Sequence, residues 1–388
     1  MTTITRKSHK KSRKGCVQCK RRHIKCDEGR PVCGYCNIIK RHCFYEEVLA
    51  SQSHISGCAS LPNSSNTTIT SEHDGDASFS SGSTPDSHYG GPPVNMLHLE
   101  LLRHLINKDL ALFGYDKSNF GTFIPETMDI LFTAPYLMSQ VLAFAALHLS
   151  VICPTRKQEF QDHATQLRAY ALTLFRLEEP INDIENCLTV FLFRSINAFH
   201  VFSEKSTICR KNSDEFLDDF IEIFHLHQHV REVTNQSWDL LLKSPLKPLL
   251  ELEASALMQK ESSMECSELL ALVHSASVDP SVKNTYLEAT KSLQAAITGS
   301  QNRSSGQSTI GSIISWLVVV PSRYIDLLAE KQPEALVILA HFGALLHLHR
   351  GIWALGDSGS YVIDSVSSYL DQTWNIWLKW PKHVQKAV

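Results

Sequence analysis

Six cysteines within 28 residues constrain this chain more than any other feature of its sequence. They repeat the unit C-x2-C-x6-C twice, and the second copy begins 17 residues after the first. So short a segment cannot bury an apolar core that would hold it folded. Cross-links must therefore supply most of its folding energy. The six are Cys16, Cys19, Cys26, Cys33, Cys36 and Cys43.

The surroundings of these cysteines favour zinc over disulfides or a redox centre. Disulfide frameworks are typical of small secreted domains, and the opening residues MTTITRK contain no apolar signal segment. Redox C-x-x-C motifs normally occur singly in a βαβ context, which this sequence lacks. Zinc favours four tetrahedral ligands, so six thiolates can serve two zinc ions if two of them bridge. The duplication suggests the first cysteine of each unit, Cys16 and Cys33, as the bridges.

Charge is distributed very unevenly along the chain. Residues 1–45 contain 13 Lys and Arg against two acidic residues, whereas the whole chain has a formal net charge of −3. A local cationic patch of this kind is typical of a nucleic-acid binder. Within it, the basic run 6–14 could be a nuclear localisation signal, a phosphate-binding arm, or both. We therefore expect the segment to bind DNA.

The cysteine spacing, with Pro31 two residues before Cys33, resembles the fungal binuclear zinc cluster family, the Zn2Cys6 transcription factors. The resemblance covers residues 15–45. It implies two zinc ions per cluster and folding that depends on them. The resemblance also implies that Cys16 and Cys33 bridge the two ions. Cys19 and Cys26 then complete one site, and Cys36 and Cys43 complete the other.

The same resemblance implies how the cluster binds double-stranded DNA. In the family, a short helix after the first C-x-x-C points its end into the major groove. Arg22 and His23 then occupy the positions that read base edges, and arginine suits guanine in CGG-type triplets. His23 stands where lysine or arginine is common, and a neutral imidazole can still donate to a guanine acceptor. The expected phosphate neighbours are Lys20, Arg21 and Lys25.

Composition divides the chain into four parts. A basic arm (1–14) precedes the zinc cluster (15–45), which is followed by a linker (46–94) and a body (95–388). The linker is rich in Ser, Thr, Gly, Asn and Pro and has no Lys or Arg, so we expect it to be disordered. It shows no sustained heptads, so dimerisation through it is not expected. A homodimer stays an open alternative.

The body is expected to be a mainly all-α domain. Apolar residues in 158–177 recur at steps of three and four, and Pro135 is placed where a helix would start. The segment 335–348 is apolar on most faces and is predicted to be a central helix. One short run, 317–320, could be a strand. No run reaches the uninterrupted 18 or more apolar residues of a membrane span.

Several stretches of the body resemble the regulatory domain of sterol uptake control-type fungal activators. They include APYLM (134–138), SPLKPLL (244–250) and PEALVILAH (333–341). The resemblance implies a hydrophobic pocket able to bind a sterol or another lipid, although many relatives instead regulate secondary-metabolite gene clusters. No ligand-binding residue can be assigned. Four tryptophans either line such a pocket or, as is commoner, belong to the core: Trp353, Trp374, Trp377 and Trp380.

The sequence predicts a nuclear, sequence-specific transcription regulator of the RNA polymerase II type. No G-x-S-x-G, P-loop, H-E-x-x-H or Rossmann motif occurs, so an enzyme is not expected. Its targets would be a sterol or secondary-metabolite gene set. One alternative is a lipid-sensing regulator whose helical body gates activity, or entry into the nucleus from the cytoplasm. Another is a zinc-cluster scaffold or antagonist without base readout.

Overall fold

The chain divides into two units, Met1–Pro92 and Pro93–Val388, called here the head and the body. A computed structural model describes residues 14–21, 24–38, 43, 94–115, 123–178, 186–207, 213–257, 266–301 and 309–387. The predicted basic arm and linker, except for their residues Lys14 and Val94, lie outside these ranges.

The described part of the head contains two short helices and no strand. Helix α1 spans Val17–Arg21 and helix α2 spans Gly34–Ile38. They begin 17 residues apart, the same interval that separates the two cysteine units. Each helix follows the first cysteine of its unit and carries the second. The duplicated sequence therefore folds into a duplicated local structure.

The described part of the body is helical and contains no strand, which confirms the predicted fold class. Three 3-10 helices, Asp109–Phe113, Pro154–Arg156 and Gln372–Leu378, accompany the α-helices. In chain order these are α3 (Met96–Lys108), α4 (Phe123–Thr133), α5 (Pro135–Ile152), α6 (Lys157–Glu178), α7 (Cys187–Thr207), α8 (Ser213–Leu241), α9 (Lys247–Leu257), α10 (Ser267–Ser275), α11 (Pro280–Gln301), α12 (Thr309–Val319), α13 (Ser322–Ala329), α14 (Pro333–Leu348), α15 (Ser358–Tyr369) and α16 (Lys379–Ala387).

Helix α14 lies at the centre of the body, as its sequence predicts. Every residue from Ala335 to His347 is buried, because the helix is apolar on nearly all faces and other helices surround it. Helix α5 is also largely buried and packs against α6 and α7. It begins at Pro135, whose missing N–H costs nothing in the first turn.

Helix α5 is long and apolar enough to cross a membrane, as are α12 and α13 taken together, although these two meet at 81°. The body buries 72% of α5. A core helix of a globular protein meets the same criteria of length and composition. The helix therefore gives no clear sign of a membrane span within the described residues.

The prediction of a short strand at 317–320 is wrong. Leu317 to Val319 form the last turn of α12. Helical spacing places Ile310, Ile313 and Leu317 in the core, all 1% exposed or less, and the β-branched run simply continues this helix. Burial of a helical face outweighs the local strand preference of valine.

Helices α14 and α15 approach each other closely at two glycines. A Cβ added to Gly359 would overlap the backbone of His347 and of Gly343. A Cβ added to Gly343 would lie 3.1 Å from the Gly359 carbonyl oxygen and 2.8 Å from Val362 Cγ1. Since backbone atoms of packed helices cannot move aside cheaply, only glycine fits at position 359.

Candidate metal centre and nucleic-acid interface

The two cysteine units bring six sulfur atoms together in the head. The sulfurs form two groups of four, and within each group they all lie within 4.8 Å of one another. Cys16 and Cys33 belong to both groups. The described residues contain no third group of this kind. The first group is Cys16, Cys19, Cys26 and Cys33, and the second is Cys16, Cys33, Cys36 and Cys43.

The distances between sulfur atoms fit zinc. Cys16 Sγ lies 3.7 Å from Cys33 Sγ and 3.8 Å from Cys36 Sγ. Cys19 Sγ lies 3.7 Å from Cys33 Sγ. Zinc–thiolate bonds of about 2.3 Å in a tetrahedron separate neighbouring sulfurs by about 3.8 Å, whereas a disulfide requires about 2.05 Å. The two groups thus have the spacing of two tetrahedral zinc sites that share an edge.

Backbone N–H groups donate to the sulfurs in a pattern that both units repeat. In each unit, the second cysteine donates to the first, and the first donates to the third. A hydrogen bond from an N–H group favours the charged thiolate over the neutral thiol, and the thiolate is the form of the sulfur that binds a cation. The donor and acceptor pairs are Cys19 to Cys16 and Cys16 to Cys26, then Cys36 to Cys33 and Cys33 to Cys43, at 3.4, 3.4, 3.4 and 3.2 Å.

Asp27 and Glu28, the two acidic residues between the cysteine units, accept hydrogen bonds from backbone N–H groups of the head. The Gly34 N–H donates to both carboxylate oxygens of Asp27, at 3.0 and 2.8 Å. A Cβ at position 34 would lie 2.6 Å from Asp27 Oδ2, so a larger residue there would displace this carboxylate. Glu28 Oε1 accepts from the Lys14 N–H at 3.2 Å. Sequence reasoning missed this role of Asp27, which ties the loop between the units to the start of α2.

Burial makes three thiols of the cluster hard to ionise without a cation. It raises the pKa of Cys16 to about 11 and also raises the pKa of Cys19 and Cys36. In Cys33 and Cys43, burial is outweighed by hydrogen bonds from backbone N–H groups and neighbouring thiols, which lower the pKa. Six thiolates so close together would repel one another strongly. A metal ion supplies the positive charge that lets them ionise together. The donor set and its spacing therefore fit two zinc ions.

The predicted DNA-binding residues follow Cys19. The side chains of Lys20 and Lys25 are exposed, one on α1 and the other just before the third cysteine. The backbone of Arg21 ends α1. Arg22 and His23 lie outside the described residues, so base reading by these two side chains stays a prediction. The described part of this segment presents positive charge to solvent beside the cluster.

Comparisons with known proteins agree with this geometry. Residues 14–51 match the sequence model of the Fungal Zn(2)-Cys(6) binuclear cluster domain. The chain is 25% identical over 427 aligned residues to a Zn(2)-C6 fungal-type transcription factor of Gibberella zeae, covering 97% of this chain and 86% of that protein. It is 23% identical to the Zn(2)-C6 fungal-type transcription factor afumD of Aspergillus fumigatus, covering 87% and 85%. The resemblance to Zn2Cys6 transcription factors is confirmed.

The alignment with a sterol regulator covers a much shorter stretch of the chain than the two alignments above. Sterol uptake control protein 2 of Candida albicans is 57% identical over 44 residues, which are 11% of this chain and 6% of that protein. This stretch is too short to extend over the body. It supports a resemblance to this sterol regulator over a small segment only. The alignments with the Gibberella zeae and Aspergillus fumigatus proteins include much of the body.

Proposed function

We propose that this chain, which carries a fungal Zn(2)-Cys(6) binuclear cluster domain and resembles transcription factors along most of its length, is a sequence-specific regulator of transcription. Its head binds two zinc ions through the six cysteines and reads CGG-like triplets in double-stranded DNA. The observation that supports this most directly is the pair of four-sulfur groups that share Cys16 and Cys33. Regulators of this family are generally nuclear.

The zinc ions would hold the head folded, and its cationic side chains would bind the DNA. Cys19 and Cys26 complete one site, and Cys36 and Cys43 the other. Lys20 and Lys25, both exposed, contact phosphates and contribute affinity on any sequence. Arg22 donates to guanine O6 and N7 and contributes the preference for one base.

The proposed targets are a sterol or secondary-metabolite gene set. Their support is the name of the Candida albicans relative, which aligns over 44 residues, and the resemblance of body segments such as 134–138 to sterol uptake control-type regulators. A homodimer would protect two triplets at a fixed spacing, and a monomer would protect one. The length of a DNase I footprint distinguishes them, and a scaffold without base readout would give no footprint.

Replacing Arg22 with alanine is expected to relax the choice of base rather than to weaken all binding. A bidentate contact to guanine contributes about 1–3 kcal/mol of discrimination. The ratio of affinities for a CGG site and a site with one guanine changed should therefore fall about 5- to 150-fold. Fluorescence anisotropy of the full chain on both duplexes measures this ratio.

The matched control is Lys25→Ala, which removes an exposed cation of the same segment. It should weaken binding to both duplexes equally and lower the slope of log K against log salt by about 1. Equal losses on both duplexes for R22A as well would show that Arg22 is a phosphate contact. No preference for the CGG duplex in the unaltered chain would favour the scaffold alternative.

A further inference from the structure

A cavity of about 320 Å³ lies within the body, between α7, α8, α9 and α12. Its volume is at the lower end of the range for small-molecule sites. Most of its wall is apolar, with Phe191, Phe199 and Trp238 among the aromatic residues that line it. None of the four tryptophans considered from the sequence is in this wall. They pack against the core instead.

One acidic side chain faces this apolar space. Glu253 of α9 is the only Asp, Glu, Lys or Arg among the described residues of the wall. Both of its carboxyl oxygens are buried, and neither has a hydrogen-bond partner in the described part of the chain. A Cβ added to Gly311 of α12 would overlap this carboxyl group, so the missing side chain at 311 makes room for it. A buried carboxyl without a donor is costly, which indicates that something else satisfies it.

Two other polar atoms in the wall also lack partners within the described residues: His227 Nε2 and Ser195 Oγ. His227 Nδ1 lies 2.8 Å from the Ile223 carbonyl oxygen. Because a carbonyl only accepts, Nδ1 carries the hydrogen and Nε2 of the neutral ring is an acceptor. Burial lowers the pKa of His227 to about 4, so the ring is neutral at pH 7. With Glu253, the cavity thus presents polar atoms without partners in the described residues from three helices, α7, α8 and α9.

The chemistry of the wall selects among ligand classes. An anion would find no Lys or Arg in the described wall. A hydrocarbon would leave Glu253, His227 and Ser195 unsatisfied. A hydroxyl group has one hydrogen to donate, whereas a protonated primary amine has three and also neutralises a carboxylate.

We propose that the cavity binds a small apolar cation, a protonated amine on a hydrocarbon body, with Glu253 as its counter-ion. His227 Nε2 and Ser195 Oγ accept its remaining N–H groups, and the aromatic wall surrounds its hydrocarbon part. The site belongs to the body alone, so it is independent of the zinc cluster and of the proposed DNA function.

Binding of such a cation is coupled to protons. Burial raises the pKa of Glu253 to about 8, so at pH 7 the carboxyl is mostly protonated before the amine binds. An ammonium ion pairs with the ionised form, and the carboxyl proton passes to solvent. The other titratable groups on the described wall stay neutral, because burial lowers the pKa of His227 and raises that of Tyr115. Affinity should rise about tenfold from pH 6 to pH 7 and level off above about pH 8.

Three probes with one hydrocarbon body and different polar groups test this assignment on the full chain: 1-adamantylamine, 1-adamantanol and 1-adamantanecarboxylate. Isothermal titration calorimetry at pH 8 should show the amine binding at least tenfold more tightly than the alcohol, and no binding of the carboxylate. Titrations at pH 7 in two buffers of different ionisation enthalpy should show about one proton released per amine bound. The alcohol should release none.

Glu253→Gln keeps the shape of the side chain and removes its charge. It should lower the affinity for the amine at least tenfold at pH 8. Glu251→Gln, on the exposed face of the same helix, should leave all three affinities unchanged. If E253Q does not fold, the proton release of the unaltered chain still tests the counter-ion. Failure of the amine to bind, an alcohol that binds as tightly, or binding without proton release would each overturn the proposal.

Discussion

Replacing Cys26 with alanine is expected to unfold the head and abolish specific DNA binding, while the body stays folded. The first sulfur group loses one of its four members, and in the described part of the head the buried cluster consists of cysteines, with only Ile24 and Cys43 packed against it. Structural zinc contributes on the order of 10–16 kcal/mol to the folding of small zinc domains at pH 7. Loss of a ligand therefore removes most of what holds the segment together.

Zinc content and DNA affinity measure this effect in the full chain. The unaltered protein should hold two zinc ions per chain by mass spectrometry of metals, and C26A fewer. Affinity for a CGG duplex should fall at least 100-fold. Cys153→Ala is the control, because Cys153 lies in the body outside both sulfur groups and should keep both zinc ions and full affinity. A C26A protein with two zinc ions and unchanged affinity would contradict the metal assignment.

Replacing Gly359 with alanine is expected to destabilise the body strongly. The new methyl group would overlap the backbone of His347 and Gly343, and neither helix can shift without disturbing the buried face of α14. Overpacking of this kind costs about 1–3 kcal/mol and occasionally more. Because two rigid backbones meet here, we expect a value at the upper end of that range.

Urea unfolding followed by tryptophan fluorescence isolates this effect, since all six tryptophans lie in the body. The midpoint of G359A should fall clearly below that of the unaltered chain. Gly351→Ala is the matched control, because an added Cβ there meets no atom within 4 Å. It should change stability by less than about 0.5 kcal/mol. Equal midpoints for G359A and G351A would show that α14 and α15 can separate freely.

Features that depend on local spacing could be predicted from the sequence. The cysteine repeat indicated a shared pair, and the structure brings the sulfurs into two groups that share Cys16 and Cys33. The fixed φ of Pro135 marked the start of α5, and the continuous apolar segment from Ala335 marked a helix that is buried all round. In each case the physical cause lies within a few residues of the feature itself.

Features that depend on which helices meet could not be predicted in this way. Glu253 sits in an amphipathic helix as an ordinary acidic residue, and only the packing of α9 against α12 buries its carboxyl beside Gly311. The closeness of Gly343 and Gly359 likewise depends on the crossing of α14 and α15. The run 317–320 suits a strand by composition, because it is apolar and mostly β-branched, and only the packing of the helix that contains Leu317 to Val319 shows otherwise.

The N–H to sulfur pattern is the same in the two cysteine units of the head. Each donor and each acceptor of one unit has a counterpart in the other, so these hydrogen bonds do not distinguish the two units. The spacers differ. The two-residue spacers are VQ and GY, and the six-residue spacers are KRRHIK in the first unit and NIIKRH in the second. The polarity with which such a head would lie on a DNA strand is therefore encoded in the spacers and not in the metal-binding scaffold.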